Sequence, residues 1–322
     1  MLLYHSSTRL LRRNTARFLA LFTVLTPLTA QTLDPIPVKY HTPYSQYSAN
    51  LQPVALAPSQ SPLPPALLPK QSTPLQSEIA YVQDIKTGKS IYQKNSTQVR
   101  PIASITKLMT ALVVLEANQN LDEVLEITSA DVDHLKNTTS RLSVGSKLTR
   151  SELLHLALMS SENRAANALG RHYPGGLSAF VRAMNDKARS LGMRQSLFVE
   201  PTGLSSSNVS SPHDLVLLLQ ATAKQPLIHR YSTSDKLTVT PKPGRQLVFG
   251  NTNRLVQNDK WDIQISKTGF INEAGQCLVL LTKMEGREVA IVLMNSQGRY
   301  SRIGDAIRLR NLVEGSNKLA ML

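Results

Sequence analysis

The chain has 322 residues, with 36 Lys and Arg against 22 Asp and Glu, for a formal net charge of +14. Its single cysteine, Cys277, excludes an intramolecular disulfide, so stability must come from a packed core. The positive charge shows neither the aromatic–basic interleaving nor the long Lys/Arg runs of a nucleic-acid binder; it fits a basic surface facing an anionic polymer.

Arg9, Arg12, Arg13 and Arg17 precede a short apolar run, FLALFTVLTPLTA, at residues 18–30. A basic segment, a short apolar segment and small residues before the cut describe a secretory signal. Cleavage is expected after Ala30, with Leu28 an imperfect residue at −3; an uncleaved anchor is the alternative. The run is short for a bilayer and is broken by Pro27, and no cysteine follows it to carry a lipid. Residues 31–76 are rich in Pro, Ser and Gln and low in charge, which favours an extended, disordered arm. An ordered domain is expected over 77–316, with 317–322 as a tail.

Order begins near Ile79, where IAYVQDI and KSIYQK flank Lys86-Thr87-Gly88 as a β-hairpin. The stretch 99–115, VRPIASITKLMTALVVL, then reads as a helix, with Pro101 suited to its first turn. Because LMTALVVL is apolar on nearly every side, this helix is expected to be buried. Ser104 and Lys107, three apart, project from one face at its start. A hydroxyl beside an amine there is a layout for nucleophilic catalysis. The pattern is irregular from Gln119 to about Lys147, apart from strand-like LEIT at 125–128.

Thr149 and Glu152 form a capping box ahead of the helix LLHLALM. Further helices are expected over 164–172, stopped by Pro174-Gly175-Gly176, and over 177–191, with Gly192 past the end. Another is expected over 212–223. IQISKT, CLVLLTK and EVAIVLM read as strands, the last two joined through Glu285-Gly286-Arg287, and a helix over 304–313 closes the pattern. Cys277, inside an apolar run, reads as a buried structural thiol. Strands from both ends around helices from the middle imply one α/β (α+β) domain with an antiparallel sheet.

Ser-x-x-Lys occurs once, at Ser104 and Lys107. Ser161-Glu162-Asn163 falls between two predicted helices, and Lys267-Thr268-Gly269 ends a predicted strand. Alone, Lys267 reads as a surface lysine and Ser161 as a helix cap. Together and in this order, the three are the signature of penicillin-binding proteins and class A β-lactamases. RPIASITKLMTALVVL, LALMSSENRAANAL, HYPGG, FVEPTGLSSSNVS, NTNRLV and KTGFINEAGQCLV extend the match over most of 79–313. The chain thereby resembles the low-molecular-weight penicillin-binding proteins, the serine D-alanyl-D-alanine peptidases, and within them the endopeptidase type.

The resemblance implies a transpeptidase-like fold, an antiparallel sheet flanked by helices with a helical subdomain. It makes Ser104 the nucleophile that forms an acyl-enzyme and Lys107 its general base, favoured in the neutral form by burial and by Lys267. Ser161 would relay a proton to the leaving amine, while Asn163 holds Lys107 and the substrate amide. The backbone N–H groups of Ser104 and Phe270 would form the oxyanion hole. Lys267, Thr268 and Gly269 would bind the carboxylate side of the substrate. Register along the sheet proposes Arg302 as a second cation there, against the plainer reading of a solvated loop arginine. Glu200-Pro201-Thr202-Gly203-Leu204 is assigned to loop structure, with Gly203 for the turn. His155 and His172 read as structural, and no metal or other cofactor is expected, since neither H-E-x-x-H nor clustered Cys/His occurs.

The resemblance makes peptidoglycan peptide stems the expected substrate and β-lactams the expected covalent inhibitors. It places the enzyme in the periplasm as a monomer, without a stable membrane anchor after signal cleavage. Against a β-lactamase stand SEN in place of SDN and the lack of a convincing E-x-x-L-N loop. Against a non-catalytic wall-binding protein stands the intact trio. Between cleavage of D-alanyl–diaminopimelate cross-links and removal of a terminal D-alanine, the segment matches favour the cross-link. So does the chain's ending soon after its last predicted helix, without a further β-rich domain; the carboxypeptidase reading stays open.

Overall fold

The computed structural model describes residues 74–298 and 300–320; the expected signal and nearly all of the proline-rich arm lie outside them. The N-terminal hairpin is formed by β1 (Ser77–Asp84) and β2 (Ser90–Lys94). Next comes β3 (Arg100–Pro101), a 3₁₀ turn at Ala103–Ile105 and α1 (Thr106–Glu116). Pro101 therefore does not open the helix. It pairs with Val209 across a two-stranded ribbon, and Ser104 stands in the 3₁₀ turn one step ahead of α1.

The middle of the chain carries β4 (Val124–Glu126), β5 (Lys147–Thr149), α2 (Arg150–Met159), α3 (Asn163–Arg171) and α4 (Gly176–Ser190). The capping box forms as expected, with Thr149 Oγ1 accepting from Glu152 N at 3.1 Å and Glu152 Oε2 accepting from Thr149 N at 2.8 Å. β6 (Val209–Ser210) and α5 (Pro212–Ala223) follow, α5 over the expected residues. Besides the short β3, β5 and β6, three longer elements escape the sequence pattern: α6 (Pro226–Thr233), β7 (Lys236–Val239) and β8 (Leu247–Gly250). The helix is short and polar on one side, and each strand has only four residues, too few for a period to declare itself.

The last three strands are β9 (Asp262–Ile271), β10 (Gly275–Met284) and β11 (Arg287–Ser296). α7 (Ser301–Ala320) starts three residues before the expected 304 and runs beyond the expected 313. The antiparallel sheet has the order β2-β1-β11-β10-β9, so the N-terminal hairpin closes onto the C-terminal strands and β9 is left as an edge.

Strict alternation along these strands builds two cores. Ile79, Tyr81, Ile265, Val279, Leu281, Ala290, Val292 and Met294 face a core shared with the helices of the middle of the chain. Ala80, Val82, Leu278, Leu280, Ile291 and Leu293 face the other side, where Ala306, Leu309 and Val313 of α7 cover them. Each buried aliphatic side chain contributes about 2 kcal/mol, so a sheet wet on neither face is a rigid wall. Against that wall sits α1, with every residue from Thr106 to Val114 buried.

Candidate active site

A buried helix can carry polar residues only where each finds a partner. Thr106 Oγ1 donates to Ala103 O at 2.8 Å, and Thr110 Oγ1 donates to Pro201 O at 2.7 Å. Lys107, wholly buried, places its Nζ 2.9 Å from Ser104 Oγ, 2.7 Å from Asn163 Oδ1 and 2.6 Å from Thr202 O. The last two are pure acceptors, so they take two N–H bonds from the amine. Once the amine is neutral, its lone pair is left facing the Ser104 hydroxyl.

Burial pulls Lys107 down to about 8, although the carboxylates of Glu200 and Glu162 work in the opposite direction. At neutral pH about a tenth of such groups are already unprotonated. The expected help from Lys267 falls elsewhere. Repulsion between the two amines is carried by Lys267, which lies well below its ordinary value through burial, then Lys107, then Arg302. At Lys107 itself burial outweighs the two carboxylates, and we assign its downward shift to burial.

The second motif is strained into place. Ser161 sits at φ +61, and Ala103, just before Ser104, at φ +48. Left-handed residues with ordinary side chains cost about 1 kcal/mol or more and concentrate at functional sites. Ser161 Oγ accepts from Lys267 Nζ at 2.9 Å, and that amine also donates to Thr268 O at 3.0 Å. Asn163 opens α3, and its amide orientation is set from outside: Nδ2 donates to Thr138 Oγ1 at 3.0 Å. Thr138 Oγ1 itself donates to Asp133 Oδ2 at 2.7 Å, so toward Asn163 it can only accept. This leaves Oδ1 for Lys107.

The irregular loop that carries Asp133 and Thr138 is clamped onto α3. Arg171 pairs with buried Asp131 at 2.8 Å, Asn167 Nδ2 donates to the same carboxylate at 2.9 Å, and Arg164 Nη1 donates to Leu142 O at 2.7 Å. We expect Thr138→Val to slow catalysis about five- to tenfold, the worth of one oriented hydrogen bond, and Thr138→Ser to restore it. Because Thr138 is exposed, thermal melts of both variants should match the wild type. Turnover unchanged in Thr138→Val would refute the orienting role.

The third motif lies on β9, the free edge of the sheet, where alternate backbone groups have no strand to pair with. Gly269 is required by contact: a Cβ there would stand 2.9 Å from Ile102 O and 3.1 Å from Ser104 N. That closeness sets β9 directly against the turn that carries Ser104. Thr268 Oγ1 donates to Thr252 Oγ1 at 2.6 Å, and Thr252 N in turn donates to Met159 O at 3.1 Å. Arg302 is not in a loop. It lies in the first turn of α7, half-buried, and donates to the carbonyls of Gly269 at 2.8 Å and Cys277 at 3.3 Å.

The structure thus brings Ser104, Lys107, Ser161, Asn163, Lys267, Thr268 and Gly269 to one place, with Arg302 behind the strand. Sequence reasoning missed Thr202 and Glu200, although it quoted their segment. A carbonyl 95 positions away from Lys107 leaves no mark in spacing. Of the residues read as structural, His155 stacks on Tyr231 with ring centroids 4.3 Å apart and is pushed down to about 4 by burial and then by Arg230. Burial likewise pushes the Cys277 thiol up to about 11. No group of three or more His, Cys, Asp or Glu side chains among the described residues is placed to hold a metal ion.

A buried amine against a serine hydroxyl, with a second amine and a glycine-bearing edge strand beside them, is the apparatus of active-serine hydrolases with a penicillin-binding fold. The family model described as D-alanyl-D-alanine carboxypeptidase matches residues 68–298. A D-alanyl-D-alanine endopeptidase of Pseudomonas aeruginosa is 50% identical over 81% of this chain and 84% of its own. Its counterpart from Escherichia coli is 48% identical over 74% and 78%. Among solved structures, the DD-transpeptidase of Streptomyces K15 superposes with a TM-score of 0.69 at 28% identity, covering 75% of this chain and 98% of that one. Penicillin-binding protein D2 of Listeria monocytogenes in its ampicillin-bound form gives 0.64 at 29%, covering 76% and 99%. The chain belongs to the family of serine D-alanyl-D-alanine peptidases, and it is a hydrolase of the penicillin-binding class.

Proposed function

We propose that the protein cleaves D-alanyl–diaminopimelate cross-links of peptidoglycan through an acyl-enzyme on Ser104. The observation that carries this reading is Lys107, whose two acceptor-only partners leave its remaining position to Ser104 Oγ at 2.9 Å. The Ser104 oxygen attacks the D-alanyl carbonyl as its proton passes to the neutral Lys107. The oxyanion is met by the N–H groups of Ser104 and Phe270. The C–N bond then breaks, and the leaving amine takes, by way of Ser161, the proton that Lys107 had accepted, so that Lys107 is neutral again; Lys267 holds Ser161 at 2.9 Å. Water attacks the ester in the second half, with Lys107 again as base, and frees the D-alanyl carboxylate. Lys267 and Thr268 line the side that would take the substrate's own carboxylate, and Arg302 supports that strand by donating to Gly269 O at 2.8 Å.

The endopeptidase reading is supported by the names of the relatives at 50% and 48% identity. The description of the family model favours a second reading, removal of a terminal D-alanine through the same acyl-enzyme. A strained β-lactam amide entering the same site would leave a slowly hydrolysed ester on Ser104, in keeping with the ampicillin-bound neighbour. We place the enzyme in the periplasm, exported by the segment at residues 1–30 and working as a monomer on peptide stems. No helix among the described residues is long and apolar enough to cross a membrane.

Digestion of purified cross-linked muropeptide dimers, followed by mass spectrometry, tests the substrate. Conversion of dimers to monomers is the expected result. Loss of a single terminal alanine from intact dimers would replace the endopeptidase by the carboxypeptidase.

A further inference from the structure

Both carboxylate oxygens of Glu200 organise the segment that supplies Thr202 to the site. Oε1 accepts from Gly203 N at 2.6 Å, Ser205 N at 3.3 Å and Asn208 Nδ2 at 2.8 Å. Oε2 accepts from Thr202 N at 2.6 Å and Thr202 Oγ1 at 2.5 Å. Bonds to an ionised acceptor are roughly twice as strong as neutral ones, so residues 200–205 are folded around this side chain. Asn208, itself wholly buried, carries the arrangement to α1 by donating to Thr106 Oγ1 at 3.2 Å.

Both outputs of this buckle reach the reacting groups. Thr202 O takes one bond from Lys107 Nζ at 2.6 Å, and Gly203 packs on the carbonyl of Ala103, the residue before Ser104. We propose that Glu200 is a positioning residue for acylation, buckling residues 200–205 so that the Thr202 carbonyl aims the lone pair of Lys107 at Ser104. This rests on Lys107 being the general base.

The charges facing Lys107 come from several elements. Glu200 belongs to the buckled loop and Glu162 caps α3, while Lys267 lies on β9 with Arg302 of α7 behind it. Glu200 favours the ammonium form of Lys107, so deleting its charge releases the Lys107 proton at lower pH. Two effects therefore separate. Lost hydrogen bonds lower the acylation rate, and the lost charge moves the acid limb of its pH profile toward lower pH.

The test is the rate of covalent labelling of the full chain by a fluorescent penicillin, followed from about pH 6 to 10. In the wild type the rate should climb through a limb near the Lys107 value of about 8. Glu200→Gln should lower the limiting rate at least about tenfold with the initial penicillin affinity little changed. Its limb should move acidward by roughly half a unit or more. Glu200→Asp keeps the charge on a shorter arm and should be slower than wild type with the limb in place. A Glu200→Gln protein with wild-type rate and limb overturns the proposal, as does a loss confined to affinity with the limb unmoved. If Glu200→Gln does not fold, Glu200→Asp decides: a wild-type rate overturns the proposal, and a lower rate at an unmoved limb upholds it. Lys107→Ala, run alongside, should not label. If it labels normally, the base assignment falls and takes the proposal with it; if only the Glu200 variants behave as wild type, the base assignment stands.

Discussion

Ser104→Ala should yield no covalent penicillin adduct and should lower muropeptide cleavage by at least about 10⁴-fold, because residues acting as one unit fail together when the nucleophile is lost. The protein should remain folded. Lys107 keeps Asn163 Oδ1 at 2.7 Å and Thr202 O at 2.6 Å, so its buried amine is not orphaned when the hydroxyl goes. Removing one oxygen leaves the core around α1 untouched, and a thermal melt should match the wild type. An adduct on the variant, mapped by peptide mass spectrometry to another residue, would displace Ser104 from the role proposed for it. Cleavage within about tenfold of wild type would do the same.

Gly203→Ala should be the most damaging single methyl group in the chain. At φ +83 the residue is in the left-handed region, where a side chain costs about 1 kcal/mol. The larger effect is contact: the new Cβ would lie 1.9 Å from Ala103 O, 2.3 Å from Ala103 C and 2.8 Å from Ser104 N. All three are backbone atoms and cannot swing aside. Either the 200–205 buckle or the 3₁₀ turn that carries Ser104 must move, and the first holds Lys107 while the second holds the proposed nucleophile. We expect a loss of several kcal/mol, hence a melting temperature lower by about 10 °C, with penicillin labelling abolished. Gly192→Ala is the control, since it shares a positive φ of +80 but would meet nothing within 4 Å. It should lose only about 1 kcal/mol and label normally. Equal behaviour of the two variants would show that backbone conformation, not contact with the serine turn, governs Gly203.

The long periodic elements were legible because burial writes itself into composition. α1 is apolar nearly all round, β10 and β11 each carry an uninterrupted apolar run, and β9 alternates Ile263 and Ile265 with polar residues before its motif. The motif residues were legible because nucleophilic chemistry restricts residue types at short spacing: Ser104 with Lys107, Ser161 with Asn163, and Lys267 with Gly269. The chain by itself therefore determined the α/β architecture, the family and the Ser104–Lys107 pair as the candidate for the chemistry.

Tertiary structure alone decided what surrounds that pair. Pro101 lies in a ribbon rather than a helix because Val209 pairs with it, a partner 108 positions on. Arg302 lies in a helix and spends its guanidinium on the backbone of β9 and β10. Lys107 is buried, bonded to a carbonyl from Thr202 and faced by carboxylates at 162 and 200, none within reach of it along the chain. A backbone carbonyl belongs to every residue, so no choice of amino acid at 202 could announce it. Side-chain identity is written in sequence, but the orientation of a main-chain dipole exists only once the loop around Glu200 has closed.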